Sequence, residues 1–571
     1  MEFIQKKSTD TAVEHFLVKA ADQEIPLAWD RYEGQLPVCG FCEAGLSCRD
    51  CLQGPCISHP FRDASKQGVC GKDKNTLAVQ SLLRFVIKGT MSSLDLVSDL
   101  ANDIETGDTK PADKAAADKV LKEVAAIFAN KETASMKELP AALSKSWKDA
   151  GVYPEGMLRD LFKASQKLEG GVSGVEETLL WTYKTALLGC MAQQMQKKLK
   201  RAVFGEITPT KLDLGLGVLP KDTPTILLYG QISAALKQKI AEVAKKSKVK
   251  VFGVCTDPLL PPFVFAPVTN YGSQEIPLMT GAVDLIVAGD QFVNPSINEV
   301  AKDWKVTVIP AAGLDKGKDL NAFARKIVDL AKKSFDNRAD VPKDIPADTQ
   351  TAIMGFSPET LDAAKVVKAL ADAKIKGVVV FSGSSNVKYS QDNEYVAMAK
   401  VFLQNDILCI SEGEASVALA KHGFLNPKME GIECGKGLAG FLKSLGKNVP
   451  AVIDCNATEF VLALAKAGKK APRDYPIFAC FPEANRSIEV VKAMGMVAMG
   501  VTTYFWPSLP VTGSPETMAA LSDVSAAKFG AKLHVVTKKL SAPEKAKLFL
   551  NEIEAQPSMS GKAWKENPDA K

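Results

Sequence analysis

The sequence predicts an α + α/β protein, an N-terminal helical domain followed by two Rossmann-like doubly wound parallel-sheet domains. Three observations predict it. Between about residues 77 and 204, apolar side chains recur three and four apart, as in AVQSLLRFVIKG and ADKVLKEVAAIFAN, the spacing of helices that bury one face. From Thr223 onward, short and nearly continuous apolar runs alternate with amphipathic stretches, the pattern of parallel strands buried on both faces and joined by crossover helices. A chain of 571 residues also exceeds what one core usually organises.

Taken in order, the helical domain spans residues 1–221 and carries a cysteine-rich loop near its start. Thr109-Lys110-Pro111 and Gly170-Gly171 break its helices. Residues 222–345 form the first sheet domain: TILLYG and VKVFGVC flank QISAALKQKIAEVAKKSK, followed by AVDLIVAGD, a helix over about 294–303, VTVIPA and a helix over about 320–334. The polar, Pro-containing NRADVPKDIPADTQ marks a boundary. Residues 346–571 form the second sheet domain, with KGVVVFSG, DILCIS, PAVIDC, YPIFAC and AMGVTTYF as strands and helices near 394–404, 435–445 and 488–494.

Composition narrows the class. Apolar residues make up 46% and charged residues 24%, as in an ordinary folded protein. The net charge of +5 comes from 71 basic and 66 acidic side chains mixed along the chain, without a Lys/Arg block, so no nucleic-acid partner is expected. The start, MEFIQKKSTDTAVEHF, has no signal-like apolar core, and no run of about 18 apolar residues spans a bilayer. A cytoplasmic location and no membrane partner are the expectation. In that reducing compartment the 12 cysteines are metal ligands, reactive thiols or small buried residues rather than a disulfide framework.

Position separates these roles. Cys39, Cys42, Cys48, Cys51, Cys56 and Cys70 crowd into CGFCEAGLSCRDCLQGPCISHPFRDASKQGVCGK. Cys48, Cys51, Cys56 and Cys70 read C-x2-C-x4-C plus a fourth cysteine, the short spacings that let one loop wrap a [4Fe–4S] cluster, with Gly54-Pro55 making a turn and Gly68 and Gly71 leaving N–H groups free near the sulfurs. Arg49, Lys72 and Lys74 stand ready to offset the cluster's negative charge. Zinc fits less well, because its knuckles usually lie about fifteen to twenty residues apart. A Gly/Pro/Asp-rich loop also has no core in which to bury six thiols for packing. Cys255, Cys455 and Cys480 fall at predicted carboxyl ends of strands, where α/β sheets bind ligands. Cys409, inside a strand, and Cys190, inside a helical stretch, read as buried structural residues.

The segment resembles the N-terminal region of the anaerobic nickel–iron carbon monoxide dehydrogenases and, more distantly, hybrid cluster proteins. GVCGKDKNTLAVQSLLRFVIKG, TGAVDLIVAGDQFVNPSINEVA, NVKYSQDNEYVAMAKVFL and LPVTGSPETMAALS follow in the family's order, from about Pro37 to the C-terminus. The resemblance implies a homodimer whose electron-transfer cubane is held by Cys48, Cys51, Cys56 and Cys70. It also implies a second, inter-subunit cluster: Cys39 matches one of its cysteines, Ser47 stands at the other position, and Cys42 is the substitute.

The same resemblance shows where the catalytic pattern breaks. The family's nickel–iron–sulfur site needs one histidine and five cysteines. The histidine position is Gln231, and cysteine positions are occupied by Phe292, Ser384 and Glu414. Cys255 matches, and Cys455 is a displaced match, since an ungapped alignment gives Thr458. The proton-transferring histidine and lysine fall near Ser93 and Val490. His15, His59, His422 and His534 read as caps, surface residues or cluster neighbours rather than bases. Nickel is therefore not expected, and no catalytic residue is assigned. The leading expectation is an iron–sulfur redox protein passing electrons to or from a ferredoxin-like or flavoprotein partner. One alternative is an oxidoreductase with a rebuilt metal site of Cys255, Cys455, Cys480 and Glu414, oxidising CO or reducing a small substrate as hybrid cluster proteins reduce hydroxylamine. Another is a structural or redox-sensing subunit of a larger complex.

Overall fold

Two long helices, Lys74–Glu105 and Val175–Phe204, lie along each other and form the spine of the N-terminal region. The computed structural model describes residues 6–59, 66–311, 319–537 and 539–555. Asp73 starts the first long helix by accepting a hydrogen bond from the Thr76 N–H. A third helix, Ser487–Ala498, packs on both. Glycines set how closely the three approach: a Cβ on Gly89 would lie 2.4 Å from the Ser487 carbonyl oxygen, and one on Gly189 would lie 2.7 Å from the Val491 side chain.

The first sheet runs in the order Thr307–Pro310, Leu285–Ala288, Thr225–Tyr229, Lys250–Val254, Pro267–Thr269, with every neighbouring pair parallel. The second runs Val452–Asp454, Ile407–Ser411, Gly377–Phe381, Ile477–Phe481, Thr502–Phe505, Leu533–Val535, also parallel throughout. Thr225–Tyr229, Gly377–Phe381 and Ile477–Phe481 are buried at every residue, which explains their continuous apolar runs. In each sheet the chain winds one way from a central strand and then returns to wind the other way. The reversal falls between Thr225–Tyr229 and Leu285–Ala288 in the first sheet, and between Gly377–Phe381 and Ile477–Phe481 in the second.

The α + α/β class and its parallel sheets are as the sequence predicts, with particular differences. Cys480 lies inside Ile477–Phe481 rather than at its end, because the apolar run continues to Phe481, whose ring stacks on Phe505 at 5.6 Å. An antiparallel pair, Thr210–Leu214 with Gln350–Met354, and the helices Thr11–Asp22 and Ala542–Ala555 are absent from the sequence reading. The polar stretch after 337 also holds a buried side chain: Arg338, 1% exposed, donates to Asp284 (2.6 Å) and to the carbonyls of Trp304 and Gly281. Among the described residues no helix is long and apolar enough to cross a membrane.

Candidate functional site

Backbone pairing, rather than packing, shapes the cysteine loop. Ser47–Cys48 pairs antiparallel with Cys56–Ile57, setting Cys48 opposite Cys56. Between them the Gly54 N–H donates to the Cys51 carbonyl at 3.2 Å. A Cβ on Gly54 would stand 3.4 Å from the carbonyl oxygens of Cys48 and Cys51, crowding that turn. Cys70 sits in a second turn closed by Gly68 N–H to Lys72 carbonyl and Gly71 N–H to Gly68 carbonyl bonds, both 2.8 Å. Gly71 there has φ of 88°, where a side chain would be strained. This turn lies against Cys56, whose sulfur would be 3.8 Å from a Cβ on Gly68. Cys48 and Cys56 are half-buried, while Cys51 and Cys70 are exposed.

A charge relay braces the loop. The Cys48 thiol donates to Asp50 at 3.3 Å, and Asp50 also accepts from Lys72 (3.3 Å) and from Arg84 at 2.6 and 2.8 Å. Burial alone would raise the Asp50 carboxyl, but the Arg84 charge and these hydrogen bonds hold it below the usual range. Lys72, expected from the sequence to offset a cluster's charge, is instead paired with Asp50 and the Leu168 carbonyl (3.0 Å), and Arg84, on the first long helix, was missed because it lies beyond the cysteine segment. Cys39 precedes the short helix Gly40–Glu43, where hydrogen bonds from Cys42 hold its thiol below the ordinary value. Ser47 donates to the Cys42 sulfur at 3.4 Å, so the residue at the second bridging position touches the proposed substitute.

The two topological switch points meet in a crevice. From the first sheet come Gln231, Cys255 and Phe292, each just beyond a strand; Gln231 pairs by backbone with Gln291 at 3.1 Å. Cys255 and Phe292 have positive φ of 55° and 65°, a conformation that non-glycine residues adopt mainly where surrounding structure imposes it. From the second sheet come Ser384, Ser385, Glu414 and Arg486. The Cys255 thiol donates to the Glu414 carboxylate at 3.6 Å, and the same oxygen accepts from the Tyr271 N–H at 3.0 Å. Burial, then the nearby Glu414, pushes the Cys255 thiol well up, and burial raises Glu414 to about 7. The Arg486 guanidinium stands 4.0 Å from the Tyr271 ring centre and 5.4 Å from that of Phe292.

Of the four residues read as a rebuilt metal site, the structure brings Cys255 and Glu414 together. Cys455 directly follows Val452–Asp454, near Asp454, Glu459 and Lys197, and Cys480 neighbours Lys545, Glu394 and Cys409. Among the described residues no three His, Cys, Asp or Glu side chains are gathered into a cage, in this crevice or in the cysteine loop. Ser384 is buried close to Glu489, Val490 is buried, and Ser93 bonds Gly89 and Gln193. Thr458 lines a separate cavity of about 910 Å³ beside Cys190 and Met195. His15, His422 and His534 face Asp344, Asp392 and Glu552, and His59 contacts the Phe41 ring.

Sequence reasoning missed the groups that fill the second sheet's end of the crevice. Glu412 accepts from Ser382 (3.0 Å), Asn456 (2.9 Å) and Lys492 (2.9 Å), with Lys197 at 3.9 Å. Burial would raise its carboxyl, but Lys492 and Lys197 bring it down to about 2. Arg486 had one readable signal, its place a few residues beyond the strand in YPIFAC, at a switch point.

The family model of the Prismane/CO dehydrogenase family matches residues 46–108 and 96–538, and the chain belongs to that family. It is 27% identical to carbon monoxide dehydrogenase 1 of Methanosarcina acetivorans, over 96% of this chain and 97% of that protein. It is 28% identical to carbon monoxide dehydrogenase 2 of Carboxydothermus hydrogenoformans, over 91% and 93% of the two chains. The solved structure of carbon monoxide dehydrogenase IV from Carboxydothermus hydrogenoformans superposes with a TM-score of 0.89 at 26% identity, covering 96% of this chain and 99% of that one. An as-isolated, nickel-free carbon monoxide dehydrogenase from Thermococcus sp. AM4 gives 0.87 at 26% identity, covering 97% and 98%.

Proposed function

We propose that this protein is a carbon monoxide dehydrogenase-like iron–sulfur electron carrier that keeps the loop cluster and has replaced the nickel–iron site. Cys48, Cys51, Cys56 and Cys70 would hold a [4Fe–4S] cluster, which supplies one-electron transfer when bound. The paired strands and the two glycine turns suit that donor set, and the Asp50–Lys72–Arg84 relay fixes the loop to the helical spine. The observation that carries the loss of the nickel site is the stacking of Arg486 over Tyr271 and Phe292. A phenyl ring and a guanidinium occupy the meeting point of the switch regions, where the family resemblance calls for cysteine ligands.

A homodimer with Cys39 and Cys42 at its axis, exchanging electrons with a ferredoxin-like or flavoprotein partner in the cytoplasm, completes the reading. Leu52 and Val69, exposed beside Cys51 and Cys70, favour a covering protein surface there. The Cys255–Glu414 contact favours a second reading, a rebuilt metal site, although it offers only two donors.

Iron, nickel and acid-labile sulfide per chain, measured on anaerobically purified protein with EPR of the dithionite-reduced sample, test the proposal. About four to six irons without nickel and one [4Fe–4S] signal are expected. Stoichiometric nickel, or markedly more iron, would overturn it in favour of a loaded crevice.

A further inference from the structure

The cavity of about 910 Å³ lies among the helices Ala141–Asp149, Val175–Phe204 and Ala457–Gly468. Its deep walls are apolar: Met136, Trp147, Leu187, Met195 and Met499 are each at most 5% exposed. Met191 and Leu462 line it while only partly covered, so apolar surface is open to a ligand. The Trp147 N–H is already spent on the Ala498 carbonyl at 2.7 Å, and burial pushes the Cys190 thiol up to about 12, which keeps it neutral. Folded interiors hold few voids larger than a water molecule, because unfilled apolar walls forfeit dispersion contacts. A space of this size falls instead in the range of small-molecule sites, about 300–1,000 Å³.

The rim carries the second observation. Half-buried Lys198 and exposed Lys466, Lys469 and Lys470 line the same cavity, and among the described residues none of them has a carboxylate within ion-pair distance. Lys198 donates to the Ser135 hydroxyl at 2.6 Å, which satisfies one N–H and leaves the charge uncompensated. The acids of the lining are engaged elsewhere: Glu459 pairs with Arg201, Glu138 with Lys119 at 3.8 Å, and Glu359 acts on Arg201. The C-terminal end of Ala457–Gly468 offers about half a negative charge, less than Lys466, Lys469 and Lys470 bring to it. Charge complementarity therefore calls for an anionic group at the rim and an apolar body behind it.

We infer that this cavity binds a medium-chain fatty acid, its alkyl chain against Met136, Met191, Met195 and Met499 and its carboxylate among the rim lysines. Methionine is unbranched and polarizable, so four of them follow a flexible chain more readily than branched side chains would. Lysine ammonium groups on flexible stems meet a carboxylate as point charges, without the fixed geometry that an arginine fork imposes. The inference stands apart from the electron-carrier reading, which either outcome leaves intact.

Isothermal titration calorimetry of the anaerobically purified holoprotein with hexanoate, octanoate and decanoate, each below its micelle concentration, tests it. Decyltrimethylammonium, with the same tail as decanoate and the opposite charge, is the control. Octanoate and decanoate should bind saturably, with affinity rising about fourfold for each added methylene. The ammonium probe should bind at least about tenfold more weakly than decanoate. A463W, which puts an indole into the cavity, should abolish binding, and K466Q/K470Q should weaken decanoate by a few-fold while leaving the ammonium probe unweakened. K466Q/K470Q alters exposed side chains only and decides the matter if A463W does not fold. Absence of saturable decanoate binding, equal affinity for the ammonium probe, or unchanged decanoate affinity in K466Q/K470Q overturns the inference.

Discussion

The Cys255 thiol donates to the Glu414 carboxylate across 3.6 Å, tying a strand end of the first sheet to the helix that follows Ile407–Ser411 in the second. Both groups are pushed up by burial, so the contact is most comfortable with both protonated. Glu414 is raised from 4.5 to about 7. A carboxyl raised on folding contributes stability that is complete below its unfolded value and is lost as pH rises through the folded one. Wild-type protein should therefore lose at most about 3 kcal/mol between pH 5 and 8 relative to E414Q, which keeps the Tyr271 hydrogen bond. Urea unfolding of both proteins across that range measures it; parallel pH curves would show that Glu414 is ionised throughout.

The proposed loop cluster would rest on Cys48 and Cys56, whose backbone positions are fixed by pairing. C48A and C56A should each lose most of the bound iron and the reduced [4Fe–4S] EPR signal, whereas C409A, altering a sulfur buried in Ile407–Ser411, should keep both. Iron analysis decides it. Retention of iron in C48A would assign the cluster to other ligands.

Lys421 bridges Asp10 (3.0 Å) and the fully buried Asp392 (2.7 Å), with His422 also facing Asp392. Burial would raise Asp392, but Lys421 and His422 hold its carboxyl far below the usual range. K421M strands that charge and should destabilise the protein by about 3–5 kcal/mol at neutral pH. It should also release the segment before Thr11–Asp22 to limited proteolysis. Unfolding midpoints within 1 kcal/mol of wild type, roughly the cost of an exposed pair, would mean that the bridge is solvated.

Gly89 and Gly189 lie where the Ser487–Ala498 helix presses on the helical spine. G89A places a methyl group against the Ser487 carbonyl and should cost about 1–3 kcal/mol by overpacking. A thermal melt of G89A beside wild type measures it; an unchanged melt would show that the helices part without cost.

Much of the architecture is written locally. KGVVVFSG and YPIFAC read as strands because a parallel strand covered on both faces must be apolar along its length, and QISAALKQKIAEVAKKSK reads as a helix because only one of its faces meets the sheet. Thr210–Leu214 and Gln350–Met354 escaped because each is a short, partly exposed strand that exists only through pairing with the other. The cysteine loop was legible because its cysteines lie close together in sequence.

The sequence by itself therefore determined the helices, the order of buried strands and the clustered thiols, since periodicity and spacing are properties of neighbours along the chain. Only the tertiary structure decided that the two switch points meet. That meeting sets Arg486 over Phe292, joins Cys255 to Glu414 and leaves Cys480 elsewhere inside its strand. These are contacts between segments far apart in the chain, fixed by how two sheets pack on a shared helical spine, and no local pattern of residues encodes that distance.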